Sequence, residues 1–224
     1  MKTLKNTFRY LPLMLLMIFA SCKKDKSGDP ENNLDITKYY IAGKYKTNSQ
    51  LILPYVLTFG ANAQAYITNG LGTSSNGNYT FKDGVLTIIW SADNKDTFKI
   101  SGEQVASWEG KSTFESHFLQ KAPEQNALNG KLYTGSLKNS SSNLFVITRM
   151  KFSENKYGET SLGDPVLNKD YSTINNASGG SNTGNNGVLT FFVLINGELE
   201  VSRASSPNVN GVSTYSTGTL KLSN

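Results

Sequence analysis

The chain of 224 residues carries 22 Lys and Arg against 17 Asp and Glu, for a formal net charge of +5, with one Cys and one His. A single cysteine excludes an intramolecular disulfide, and one histidine without a cysteine cluster excludes the dense ligand sets of structural zinc sites. Lys2, Lys5 and Arg9 supply three of the positive charges, so removing residues 1–21 lowers the balance from +5 to +2; with no Lys/Arg run further on, the electrostatic footprint of a nucleic-acid binder is missing.

From the N-terminus, those basic residues precede an apolar stretch over residues 10–19 and the small residues Ala20 and Ser21, in the order of a secretory signal peptide. The stretch is too short to cross a bilayer, which takes about 20 apolar residues. The tetrad Phe19-Ala20-Ser21-Cys22 resembles the lipobox of bacterial lipoproteins, with Phe19 where Leu is usual. The resemblance implies cleavage of residues 1–21 before Cys22 and a lipid on Cys22 that anchors the protein to a membrane. Each buried methylene of such a lipid contributes about 0.8 kcal/mol. Lys23, rather than Asp, follows the cysteine. By the same resemblance this favours the outer membrane of a Gram-negative envelope, its exterior face included. Residues 23–33 are polar, charged and almost without apolar side chains, so residues 22–37 read as the lipidated cysteine and a flexible tether.

The remaining chain, about 190 residues, suffices for one large or two small domains. Its apolar residues recur with period two, as in Leu51, Leu53, Tyr55, Leu57 and Phe59, which marks strands with one buried face. Pro54 within that run predicts an edge strand or a bulge. Turn chemistry at Asn76-Gly77-Asn78, Lys82-Asp83-Gly84, Asp93-Asn94-Lys95 and Ile195-Asn196-Gly197 separates the strands.

The pattern occurs twice. Gly43-Lys44-Tyr45 returns as Gly130-Lys131-Leu132-Tyr133, and the Leu51 to Phe59 series returns as Leu144, Val146, Thr148, Met150 and Phe152. Tyr66 matches Tyr157, Tyr79 matches Tyr171, and Gly84-Val85-Leu86-Thr87 recurs as Gly187-Val188-Leu189-Thr190. Phe98 and Ile100 then match Leu199 and Val201, and Leu119 matches Leu220. These matches leave an insertion over residues 175–186 with no apolar side chain larger than Ala, which predicts a mobile loop. An all-β protein follows, with two tandem antiparallel β-barrel units at residues 38–122 and 127–224; one larger barrel or a sandwich built from both copies is the alternative. The Gly43-Lys44-Tyr45 opening and the string of alternating strands resemble the lipocalin-like domains of bacterial lipoproteins, with Tyr45 and Tyr133 where lipocalins carry Trp. That resemblance implies a ligand-binding barrel.

Catalytic chemistry has little to draw on. His117 is the one histidine: alternation places it with Glu115 on a solvated face, whereas the match to Gly218 leaves its side open. Asp83, Asp96, Glu103 and Glu115 are carboxylates that could pair only in space, with no spacing to select them. The sequence therefore points to a non-enzyme without cofactor or metal. Binding of a small hydrophobic or carbohydrate ligand would fall to aromatic side chains, with Tyr45, Tyr55, Tyr133, Trp90 and Trp108 as candidates and core positions as the competing reading for the two tryptophans. A structural or accessory role beside an outer-membrane protein partner is the alternative function.

Overall fold

A computed structural model describes residues 34–183, 187–205 and 213–223; the leader, Cys22 and the tether up to residue 33 lie outside the described residues. After one 3-10 turn (Ile36–Lys38), capped by the Asp35 side chain, every regular element is a strand. Eight strands form the first barrel: β1 (Tyr39–Lys46), β2 (Ile52–Phe59), β3 (Gln64–Asn69), β4 (Ser74–Lys82), β5 (Val85–Ser91), β6 (Asn94–Ser101), β7 (Gln104–Gly110) and β8 (Phe114–Lys121). Nine form the second: β9 (Leu132–Asn139), β10 (Phe145–Phe152), β11 (Lys156–Thr160), β12 (Lys169–Asp170), β13 (Ser172–Asn175), β14 (Ser178–Thr183), β15 (Val188–Ile195), β16 (Glu198–Ala204) and β17 (Tyr215–Leu222).

Each sheet is an antiparallel meander whose last strand returns to pair with its first, β8 with β1 and β17 with β9. Two nearly closed barrels result, and among the described residues no ladder joins them, so the single larger barrel is not formed. The seams differ. In the first barrel the ladder is open between β7 and β8; in the second it is open between β12 and β13. Rings bridge the first seam, with Trp108 of β7 5.4 Å from Phe114 and 6.0 Å from His117, both of β8.

Period two translates directly into packing. Along β2, Leu53, Tyr55, Leu57 and Phe59 are buried, and the first core gathers them, Leu53 apart, with Ile41, Leu86, Ile88 and Phe98. Pro54 sits in an inner strand, where the ladder to β3 has already ended at Tyr55 opposite Asn69, so neither an edge nor a bulge in β2 is needed. The Asp83-Gly84 and Asn196-Gly197 turns carry the positive φ values that two-residue hairpins demand. Asn76-Gly77-Asn78 is no turn: it lies inside β4, where Gly77 leaves space for the backbone of Ile89 and the ring of Trp90.

The two barrels correspond differently from what the sequence matches imply. Gly43 and Gly135, not Gly130, hold the same ladder place; each lies where the closing strand crosses, and an added Cβ would strike the carbonyl of Ser116 or Thr219. Gly130 instead occupies a turn at positive φ. Tyr79 and Tyr171 do correspond, for each hydroxyl donates to the carbonyl after the β2 or β10 strand, Gly60 at 3.0 Å and Ser153 at 2.9 Å. The matched Gly-Val-Leu-Thr segments do not, because β5 is the third strand before its closing strand and β15 the second.

Residues 175–183 are accordingly not a mobile loop. Asn175 ends β13 and Ser178–Thr183 form β14, paired with β15 over six positions. Small residues are required there: a Cβ on Gly179 would come within 2.9 Å of the Phe192 ring and 3.0 Å of Tyr171. Residues 184–186 lie outside the described residues.

Residues from Leu34 onward form one compact unit. Tyr40, Ala42 and Val56 turn away from the first core and pack into the core of the second. This explains the apolar run Phe191–Ile195 of β15, which is buried on both faces, as a strand between two layers must be. Polar bonds fix the junction: the Tyr40 hydroxyl donates to the Leu194 carbonyl at 3.1 Å, Ser202 Oγ to the Gly70 carbonyl at 2.9 Å, and Lys44 Nζ lies 3.0 Å from the buried Glu200 carboxylate.

Candidate functional site

The rim of the first barrel carries an open groove of about 510 Å³ lined by Ile67, Ser74, Ser75, Asn76, Trp90, Ser91, Asn94 and Ser112. A smaller recess of about 220 Å³, lined by Tyr45, Ile67, Asn69, Ser112, Thr113 and Phe114, shares Ile67 and Ser112 with it. Trp90 reaches the groove because of a β-bulge: Ile89 pairs with Lys95 and Ser91 with Asn94, which leaves Trp90 as the extra residue. Bulges re-aim a side chain in this way.

A buried carboxylate holds the indole in place. Asp96 has no solvent exposure, and its Oδ2 accepts from Trp90 Nε1 at 2.7 Å and from Ser112 Oγ at 2.6 Å, while the Ser112 amide lies 3.4 Å from Oδ1. Burying a charge without such donors is costly. Gly110, opposite Asp96 in the ladder, is the residue that lets the carboxylate fit, since a Cβ there would collide with Oδ1. The groove thus presents an oriented indole among hydroxyl and amide groups. One of those groups, Asn94 Oδ1, is shielded from solvent and has no hydrogen-bond partner among the described residues.

Behind the rim, the barrel is filled with rings. Tyr55 is wholly buried, stacks on Phe114 at 4.4 Å and donates to the Ser116 carbonyl at 3.3 Å; burial, with the Asp96 charge adding to it, raises its hydroxyl well above the usual range. Tyr45 is half-buried in the recess, and burial, then the charge of Tyr215, push its hydroxyl up to about 12. His117 is half-buried rather than on an open face: it lies against Phe98 and Trp108, and burial lowers its imidazole below the ordinary value. Its place opposite Gly43 corresponds to Leu220 opposite Gly135, a core position. Tyr45 Oη, Trp108 Nε1 and His117 Nδ1 are all shielded from solvent with no hydrogen-bond partner among the described residues.

The structure therefore gathers Tyr45, Tyr55 and Trp108 around Phe114 and sets Trp90 across the shared rim. Tyr133 lies elsewhere, in the second core against Phe152. Cys22 is outside the described residues. Among the carboxylates, Asp83 and Glu115 are exposed, Glu103 accepts from the Tyr39 hydroxyl at 2.7 Å, and Asp96 lies buried beneath the groove, bonded to Trp90 and Ser112 of its lining. No group of three or more metal-ligating side chains occurs among the described residues. Sequence reasoning counted Asp96 among four carboxylates without selecting it and read Asn94 as a turn residue only. The signal for Asp96 was present, because it shares the period-two face of Phe98 and Ile100.

No family model matches the chain, and no curated protein or solved structure matches it either. What the groove can hold follows from its lining alone.

Proposed function

We propose that this is a lipid-anchored cell-envelope protein of lipocalin-like build, held by Cys22 at the outer membrane, whose first barrel binds a small hydroxylated ligand of the carbohydrate class. The observation that carries the binding role is the pinned Trp90 indole in a groove otherwise lined mainly by Ser and Asn side chains. An aromatic face beside many hydroxyl and amide groups suits a ring with apolar C–H faces and hydroxyl edges better than it suits an aliphatic chain. A role in binding rather than catalysis is supported by Asp96, whose Oδ2 is already engaged by Trp90 and Ser112.

Calorimetric titration against a panel of mono- and oligosaccharides tests the ligand class. Binding that Trp90→Ala weakens by about ten-fold or more, with Trp108→Phe close to wild type, is the expected result. Saccharide binding indifferent to Trp90, or affinity for aliphatic ligands only, contradicts it. The anchor has its own test: Cys22→Ala shifts the protein from the membrane to the soluble fraction, and unchanged partition removes the lipoprotein reading.

A further inference from the structure

At the far end of the second barrel, Leu144, Phe145, Val146 and Ile147 are each between 51% and 68% exposed, and in the neighbouring loop Leu162 and Val166 are 84% and 72% exposed. Arg149 ties that loop to β10, donating to the Gly163 carbonyl at 2.6 Å and lying 3.5 Å from Asp164. The turn leading into the arm, Ser140-Ser141-Ser142-Asn143, carries no charge. Exposed apolar clusters of this kind mark interaction surfaces.

We propose that residues 144–147, together with Leu162, are an arm that inserts into the interface of a lipid bilayer. Successive side chains of a strand point to opposite faces, so Leu144 and Val146 face one way and Phe145 and Ile147 the other. A protein partner seated on one sheet face would cover alternate residues; an apolar medium that surrounds the arm covers all four. Lys138, exposed and paired in the ladder with Phe145, stands beside the arm, where its stem can lie along apolar surface while its ammonium reaches lipid phosphates.

The lipid anchor is compatible with this but not needed for it. Ala122 bonds back to Lys38 beside the start of β1, and the linker from there leads into β9, which runs its eight residues away to the arm. The arm thus stands roughly one strand length, about 26 Å, from the start of β9. A chain of the length from Cys22 to Leu34 spans at most about 40 Å when fully extended, more than that strand length.

The test places a reporter on the arm of the full chain. Phe145→Trp and, as a control in the linker, Glu124→Trp are compared with the parent protein in phosphatidylcholine vesicles with and without brominated acyl chains. The expected result is a blue shift of the emission that Phe145→Trp adds to the parent spectrum, and quenching by bromolipid about three-fold or more stronger than for the linker reporter. An unquenched reporter on the arm of vesicle-bound protein overturns the proposal while leaving the anchor intact. A blue shift that grows with protein concentration in the absence of vesicles overturns it in favour of a second copy, paired through the stretch of β10 that has no β11 partner. A reporter that responds to neither vesicles nor concentration overturns it in favour of another protein.

Discussion

Asp96 shows how one carboxylate organises a surface it never touches directly. Its oxygens hold Trp90 and Ser112, and Gly110 exists as glycine to admit them. Trp90→Phe keeps a ring but removes a charge-assisted hydrogen bond, so thermal or urea denaturation should show a loss of about 1.5–3 kcal/mol. Gly110→Ala should cost about 1–3 kcal/mol by overpacking; a wild-type midpoint for it would mean that the carboxylate sits elsewhere. His117 gives a pH signature. Burial among Phe98 and Trp108 lowers its folded-state value below the ordinary 6.5, so unfolding takes up a proton in the window beneath 6.5. The unfolded state binds more protons there, and stability falls as pH drops through that window. His117→Phe should flatten the melting temperature between about pH 7.5 and 5.5 relative to wild type, and an unchanged slope would assign the dependence to other groups. Sequence reasoning left the side of this residue open because simple alternation ignores which position the closing strand sets opposite Gly43.

At the level of elements, alternation was enough to read most strands, and the Asp83-Gly84 and Asn196-Gly197 turns were legible from backbone chemistry, whereas Asn76-Gly77, of the same chemistry, lies inside β4. What misled was residue identity without ladder position. Gly-Val-Leu-Thr occurs in β5 and β15, yet these strands stand at different distances from closure, and aligning them created an apparent insertion from what is β14. Gly179 in that strand carries no hydrophobic signal because the rings of Phe192 and Tyr171 occupy the space a side chain would take. The junction between barrels was illegible for a similar reason: Tyr40, Ala42 and Lys44 look like the polar-side alternates of β1 until β15 and β16 cover them. Lys44→Met leaves Glu200 with the Thr219 hydroxyl but without its cation, and should destabilise the protein by about 1–3 kcal/mol, less than a fully buried pair because Lys44 is partly exposed. Recovery of stability in the double variant Lys44→Met, Glu200→Leu would separate the lost pair from lost packing.

For the whole molecule, the shared layer at Tyr40, Ala42, Val56 and β15 makes two barrels one body. A single cooperative thermal transition is expected for the protein, and calorimetry resolving two independent transitions would show that the junction contributes little. The overall architecture was therefore largely readable, whereas the groove was not, since it depends on a bulge at Trp90 and a buried Asp96 that meet only across folded strands. The proposed binding function rests on that groove. The most direct measurement is a heteronuclear NMR titration of the labelled protein with the tightest saccharide of the panel, because the chain has two tryptophans and so two indole N–H signals. Shifts of the Trp90 indole and of the Asn76 and Asn94 side-chain amides, with Trp108 nearly still, are predicted; an unmoved Trp90 signal at saturating ligand would contradict the account.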